Sequence, residues 1–263
     1  MVTDTKILRE SYKALKLKTA DILLVHTKRS IWSWLIRLGT HCYWNHALIV
    51  CEINGLEEGY DSTIVVDPKT DGSIEMDRAG KYLGRLDKYD VAVKRLEAGW
   101  FQDNGQSGKP DIRSLICDIA ASEAATGVHP KLAQIINRFT RQVTVIYRFI
   151  RRKMKRARVS LNFPWSIRPT QVKAFTCGGF VQWCYYKGVS HTVEKGYADE
   201  SKLQEVVFNP RIERKVTPFE LLTTTPADLA NCAKLSWKYV IVNGLKREVT
   251  SGEEANLIIA TGK

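Results

Sequence analysis

Cys177 lies in the run KAFTCGGFVQWCYYKG, where an extended stretch, 174–176, leads to the thiol, two glycines and apolar positions at helical spacing as far as Gly188. A thiol at the start of a helix meets unpaired N–H groups and the positive end of the macrodipole. Both favour the thiolate, the nucleophilic form of cysteine. The two glycines are expected to let a substrate approach the backbone closely. The competing reading is a packed core thiol, with the glycines relieving crowding at a strand-to-helix turn. Cys184, further along the same helix, is expected in the core.

A thiol nucleophile needs a base, and His46 stands at the head of the apolar run HALIVCEI. A strand there fixes its backbone and leaves the imidazole at the end of a sheet, facing a cleft. His41 is a second candidate, but it precedes the strand and is less firmly held. The competing reading of His46 is a rim histidine satisfied by local hydrogen bonds. Asp67 ends the next apolar run, and in an antiparallel pair the end of one strand lies near the start of its neighbour. A carboxylate bonded to one ring nitrogen selects the tautomer whose other nitrogen takes the thiol proton. Asp67 before Pro68 can also be an ordinary turn residue, and Glu75 and Asp71 are its rivals as the orienting acid.

These residues are positioned by the elements around them. Helix-favouring composition covers 5–17, a buried strand is expected at 19–25, and a helix at 30–38 stops at Gly39. Strands follow at 46–53 and 62–67, then at 73–76 and 88–95. A loop at 103–110 leads to a helix over 111–125 capped by Asp111, and one or two more helices cover 131–157. After Gly188 a polar loop, a strand at 203–208 and a short helix with Pro226 at its first position are expected. The last strand spans 236–242 and turns at Asn243-Gly244, with a frayed tail after about Thr250.

The 263 residues carry seven Trp and enough apolar residues for a folded core, read as a single domain, 1–263. Six cysteines lie scattered without CxxC pairs or His-rich spacing, which argues against zinc and a disulfide framework. No cofactor is implied. The amino terminus lacks a secretory signal and no run is apolar enough to span a bilayer, so a cytoplasmic location is expected, with peripheral membrane association left open.

The net charge of +12 is unevenly placed: residues 124–193 contain thirteen Lys and Arg and no acid. Much of it falls in a basic helical insertion, 103–169. There Arg148, Arg151, Arg152, Lys153, Lys155, Arg156 and Arg158 crowd one end of an amphipathic pattern with Val145, Ile146, Phe149 and Ile150. Such a segment suits an anionic membrane surface or nucleic acid phosphates, or is a helix docked on the core with a solvated basic side.

Five segments in order, ADILLV, WNHALIV, IVVDPKTDGSIEMD, FTCGGFVQWCYYKG and TPADLA, resemble the circularly permuted branch of the NlpC-like papain-fold cysteine hydrolases. That branch includes the YiiX-like bacterial proteins and the lecithin–retinol acyltransferase family. The resemblance covers roughly 19–95 and 170–242 and leaves the basic stretch unmatched. It implies an α+β permuted papain-like fold, an antiparallel sheet packed against the helix that bears the nucleophile. It further implies that Cys177 attacks an amide or ester carbonyl, His46 takes and returns the proton, and Asp67 orients His46 in a Cys-His-Asp triad with a thioester intermediate. Ala20 stands where the family often has Gly, read as a harmless departure, and Asp67 where relatives carry Glu, His or another polar residue. A peptide or peptidoglycan-type amide is the first substrate expected, and a lipid acyl ester or amide, with hydrolysis or acyl transfer, the second. The rival from another class is a non-catalytic basic protein that binds a membrane surface or nucleic acid.

Overall fold

Strands covered on both faces read as unbroken apolar runs, and the runs ILLV and ALIV are of this kind. The computed structural model describes residues 15–28, 42–52, 63–69, 73–102, 110–125, 176–210 and 216–262. The helices expected at 30–38 and 131–157, His41, Asp71 and the basic cluster 148–158 lie outside them, as do residues 5–14. Residues 15–17, expected to close the first helix, are not helical.

In chain order the elements are β1 (Ile22–Thr27), β2 (His46–Glu52), β3 (Ile64–Pro68), β4 (Ile74–Arg78), α1 (Gly80–Leu83), β5 (Tyr89–Leu96), α2 (Gly99–Gln102) and α3 (Ile112–Ala125). There follow α4 (Cys177–Glu194), α5 (Ser201–Glu205), α6 (Pro218–Leu221), α7 (Pro226–Asn231), β6 (Leu235–Val242), β7 (Leu245–Glu248) and α8 (Gly252–Thr261). The fold is mixed α+β. The seven strands among the described residues form one antiparallel sheet in the order β4-β3-β2-β1-β5-β6-β7.

Alternation along each strand splits the sheet between two cores. Ile22, Leu24, Ala47, Ile49, Val66, Ala92 and Val240 face α3 and α4, while Leu23, Val25, Leu48, Val50, Val65, Val91 and Ile241 face Tyr82 and Leu83 of α1. That two-sided burial is why the central strands carry no polar alternation. On α4, Phe180, Val181, Cys184, Tyr185 and Val189 are fully buried, an apolar stripe at helical spacing pressed on the sheet.

The helix that begins at Cys177 does not stop at Gly188 but runs to Glu194. Gly188 lies where α4 crosses α3, and a Cβ there would meet Ile116 Cγ1 at 2.7 Å. The glycine is a close-packing residue rather than a helix end. Its partner helix α3, capped as expected by Asp111 through Arg113 N (3.1 Å) and Ser114 Oγ (2.8 Å), contributes Ile116, Cys117 and Ala120 to the main core. The start of the segment read as an insertion is thus packed into the body of the fold.

Three further expectations change. The stretch 203–208 is not a strand, since α5 takes its first residues, and the side chain of Gln182 accepts from Phe208 N (2.6 Å) and donates to Val206 O (2.6 Å). One buried amide side chain replaces the partner strand. The last strand is β7, not β6. The two are joined by Asn243 and Gly244 at φ 51° and 83°, a two-residue left-handed turn suited to a hairpin. The tail after Thr250 is helical: Ser251 caps α8 by accepting from Glu254 N (3.1 Å), and Glu254 reaches back to Thr250 N (2.9 Å). Gly262 ends it at φ 65°.

The turn into β1 departs from expectation in a smaller way. The strand begins at Ile22, and Ala20 adopts φ 65°, the left-handed region that Gly enters freely and Ala does not. Ala20 therefore sits in a conformation that a glycine would adopt at lower cost. Its conformation is held by hydrogen bonds from Tyr185 Oη to Ala20 O and from Ala20 N to Val50 O (2.8 Å), beside the buried Asp21–Arg95 ion pair (2.6 Å).

Candidate active site

The start of α4 is built by a cap and a close approach. Thr176 is extended at ψ 161°, its Oγ1 accepts from Gly179 N (2.8 Å), and its carbonyl accepts from Phe180 N (2.8 Å). The first N–H groups of a helix have no intrahelical acceptor, so those of Cys177 and Gly178 remain at the point where the thiol sits. The Thr176 hydroxyl donates to Thr224 O, which ties the helix start to the segment 222–226. That segment is itself pinned by α7, where Thr225 and Asp228 form a reciprocal capping box with Pro226 at the first helical position.

Gly178 and Gly179 serve this contact. A Cβ on Gly178 would lie 2.6 Å from the carbonyl carbon of Thr225, and one on Gly179 would lie 2.6 Å from that of Leu222. The space freed by the glycines is filled by the protein's own chain. On the Cα side, the two glycines are what the packing reading assigned them.

His46 is the first residue of β2, opposite Val25 of β1, and its side chain is 17% exposed. Its Nε2 lies 2.7 Å from Asp67 Oδ1, which leaves Nδ1 as the ring nitrogen for another partner. The Cys177 thiol is close enough to the His46 ring for its charge to act on it. Cys177 Sγ is also 4.0 Å from the carbonyl oxygen of Asn45, the residue before His46. The structure thus brings together all three residues singled out from the sequence. Burial opposes a charge on the His46 ring. The negative charge available at Cys177 and the hydrogen bond to Asp67 outweigh it and push its pKa up to about 10.

Asp67 is fully buried, and burial disfavours its charge. The bond to His46 and donors at the other oxygen reverse that and hold the carboxyl below its usual range. Oδ2 accepts from Lys69 Nζ and from the Tyr82 hydroxyl, with Lys81 Nζ at 3.6 Å. Lys69 Nζ further pairs with Glu75 Oε2 (3.2 Å) and Asp77 Oδ2 (3.3 Å), and Lys81 pairs with Asp77. Of the rival acids, Glu75 meets Lys69, and it is Asp67 that meets His46.

Sequence reasoning missed this supporting group. Lys69, Glu75, Asp77, Lys81 and Tyr82 converge because β3 and β4 pair with Asp67 opposite Glu75 and Val65 opposite Asp77, and α1 follows at once. The sequence carries no signal for that register beyond the turn at 68–72. Of the remaining cysteines, Cys117, Cys184 and Cys232 are buried, Cys42 and Cys51 half-buried, and all are free thiols. Burial pushes the Cys184 thiol up, as suits an inert core position. Among the described residues no group of three or more His, Cys, Asp or Glu could hold a metal ion. No helix among them is long and apolar enough to cross a membrane.

The fold and site define a class: a mixed α+β protein whose antiparallel sheet carries a histidine and an acid against a cysteine at a helix start. No family profile, curated protein or solved structure matches the chain.

Proposed function

We propose that this chain is a cysteine hydrolase of the circularly permuted papain-like kind, acting on an amide or ester carbonyl. The observation that carries the reading is the Asp67–His46 hydrogen bond (2.7 Å) beside Cys177, whose sulfur at the first residue of α4 lies 4.0 Å from the carbonyl oxygen of Asn45, the residue before His46. The order of the three in the chain, histidine and acid first and cysteine last, supports the permuted class, as does the antiparallel sheet behind them.

In this reading His46 carries the proton and the Cys177 sulfur attacks as thiolate. The attack forms a tetrahedral oxyanion that the Cys177 and Gly178 N–H groups stabilise, each such donor being worth about 3 kcal/mol in typical sites. Protonated His46 then gives its proton to the leaving amine or alcohol, and a thioester remains on Cys177. His46, now neutral, takes a proton from water as it attacks the thioester, which releases the acid and restores the pair. An amine or alcohol acceptor in place of water makes the same chemistry an acyl transfer. A peptide or peptidoglycan-type amide is the first substrate class, and a lipid acyl ester or amide the second.

The experiment is alkylation by iodoacetamide near neutral pH with the labelled residue read by mass spectrometry, together with trapping of an acyl-enzyme from an activated ester. Cys177 should label much faster than half-buried Cys42 and should lose that advantage in His46→Ala. Equal labelling of the two thiols, with no acyl group on Cys177, would favour a non-catalytic binding protein.

A further inference from the structure

Asp67 divides its two oxygens between opposite tasks. Oδ1 faces His46 (2.7 Å), while Oδ2 accepts from Lys69 and the Tyr82 hydroxyl and has Lys81 at 3.6 Å. A carboxylate with a free second oxygen can rotate about its C–C bond and exchange the oxygen it offers. This one is clasped. It is also not the bare anion that a Cys-His-Asp triad suggests, since two ammonium groups stand on its far side. Among the described residues, the titratable groups around the pair are Cys177 of α4, Glu75 and Asp77 of β4, Lys81 and Tyr82 of α1, and Lys69 after β3. With His46 protonated, three carboxylates (Asp67, Glu75 and Asp77) and three cations (Lys69, Lys81 and His46) meet here among the described residues, apart from the thiol.

The geometry points to Lys69 as a positioning residue of the triad: it locks Asp67 with Oδ1 toward His46 and offsets the carboxylate's charge, which moderates the pull of Asp67 on the imidazolium. The proposal rests on the hydrolase reading of this site. Its physical logic is that a general acid must release its proton to the leaving group. An unopposed buried carboxylate beside the ring would hold that proton too firmly, whereas an offset one acts more as a neutral hydrogen-bond acceptor that fixes the ring. Lys69 Nζ meets the carboxylates of Asp67, Glu75 and Asp77, so its effect on His46 passes through Asp67.

The test is NMR titration of the His46 ring in the full chain in a Cys177→Ala background, where the thiol no longer contributes, with and without Lys69→Met. Removal of one cation from the far side of the carboxylate should raise the His46 midpoint by about one pH unit. Lys69→Arg should restore the parent value. Lys81→Met should act in the same direction by less, and it replaces Lys69→Met if that variant does not fold. With Cys177 present, turnover of an activated ester should fall in Lys69→Met through kcat rather than KM, and recover in Lys69→Arg. A folded Lys69→Met or Lys81→Met whose His46 midpoint is unchanged or lower overturns the proposal. Cys177 alkylation that ignores His46→Ala overturns the hydrolase reading instead, and the ring titration still decides the role of Lys69.

Discussion

Gly179 and Leu222 meet backbone to backbone: a Cβ on the glycine would overlap the Leu222 carbonyl oxygen and come within 2.6 Å of its carbon. The neighbour is main chain, so it cannot swing aside as a flexible side chain would. Gly179→Ala should therefore lift the segment 222–226 off α4 and cost about 1–3 kcal/mol of stability. Gly99→Ala, where nothing lies within 4 Å, should be neutral or slightly stabilising. Urea denaturation of the two variants measures the difference, and Cys177 alkylation should slow only in Gly179→Ala.

Nucleophile, base and orienting acid fail in different ways. Cys177→Ala should abolish covalent labelling at the site. His46→Ala should leave a thiol whose labelling is slow at neutral pH and climbs with pH, because hydroxide replaces the lost base. Asp67→Asn should keep more activity than either, since an orienting group acts on ring position and tautomer. Rates with an activated ester across pH give the ranking. A fully active Asp67→Asn would remove Asp67 from the triad and leave the other two assignments in place.

Lys94 offers a pH test away from the site. The residue is 1% exposed, and its Nζ donates to Ala230 O (2.6 Å) and Cys232 O (3.0 Å) and lies 4.6 Å from the Trp237 ring centroid, with no carboxylate among these partners. Burial lowers its pKa to about 8 from 10.5. The folded state then binds fewer protons than the unfolded one between these values, so stability contributed here rises as pH climbs from about 8 to 10.5. The full span is worth about 3 kcal/mol. Lys94→Met should flatten that rise, read as the difference between the two proteins in urea denaturation across this range. Parallel slopes would contradict the burial argument.

Ala20 sits at φ 65°. The left-handed region costs a non-glycine residue about 1–2 kcal/mol, and glycine returns part of that by its freedom in the unfolded chain. Ala20→Gly should stabilise the protein by about 0.5–1 kcal/mol. Thermal unfolding checks it, and an unchanged or lower Tm would show that Tyr185 and Val50 hold this turn without strain.

The parts legible in the sequence are those in which local pattern and tertiary role agree. ILLV and HALIVCE read as strands because both of their faces are buried, and TCGG read as a helix start because Thr176 is its cap. The stretch 203–208 misled because Val206, Val207 and Phe208 are buried as a strand's residues would be, while the hydrogen bonds come from one glutamine side chain. The helix at the carboxyl end announces itself in Ser251-Gly-Glu-Glu254, a capping pattern hidden by a polar, mostly exposed run in which Ala255 is buried. That Asp67 would meet His46 could be read from the order of the two strands. The clasp on Asp67 could not, because it depends on the register of β3 against β4.

The wall behind Cys177 comes from residues 222–226, some 45 positions downstream, and those residues are fixed by the capping box that follows them. During synthesis His46 and Asp67 leave the ribosome first, the thiol later, and the backbone that seats its helix later still. A nascent chain therefore holds His46, Asp67 and Cys177 before it holds the backbone that seats the helix bearing the thiol.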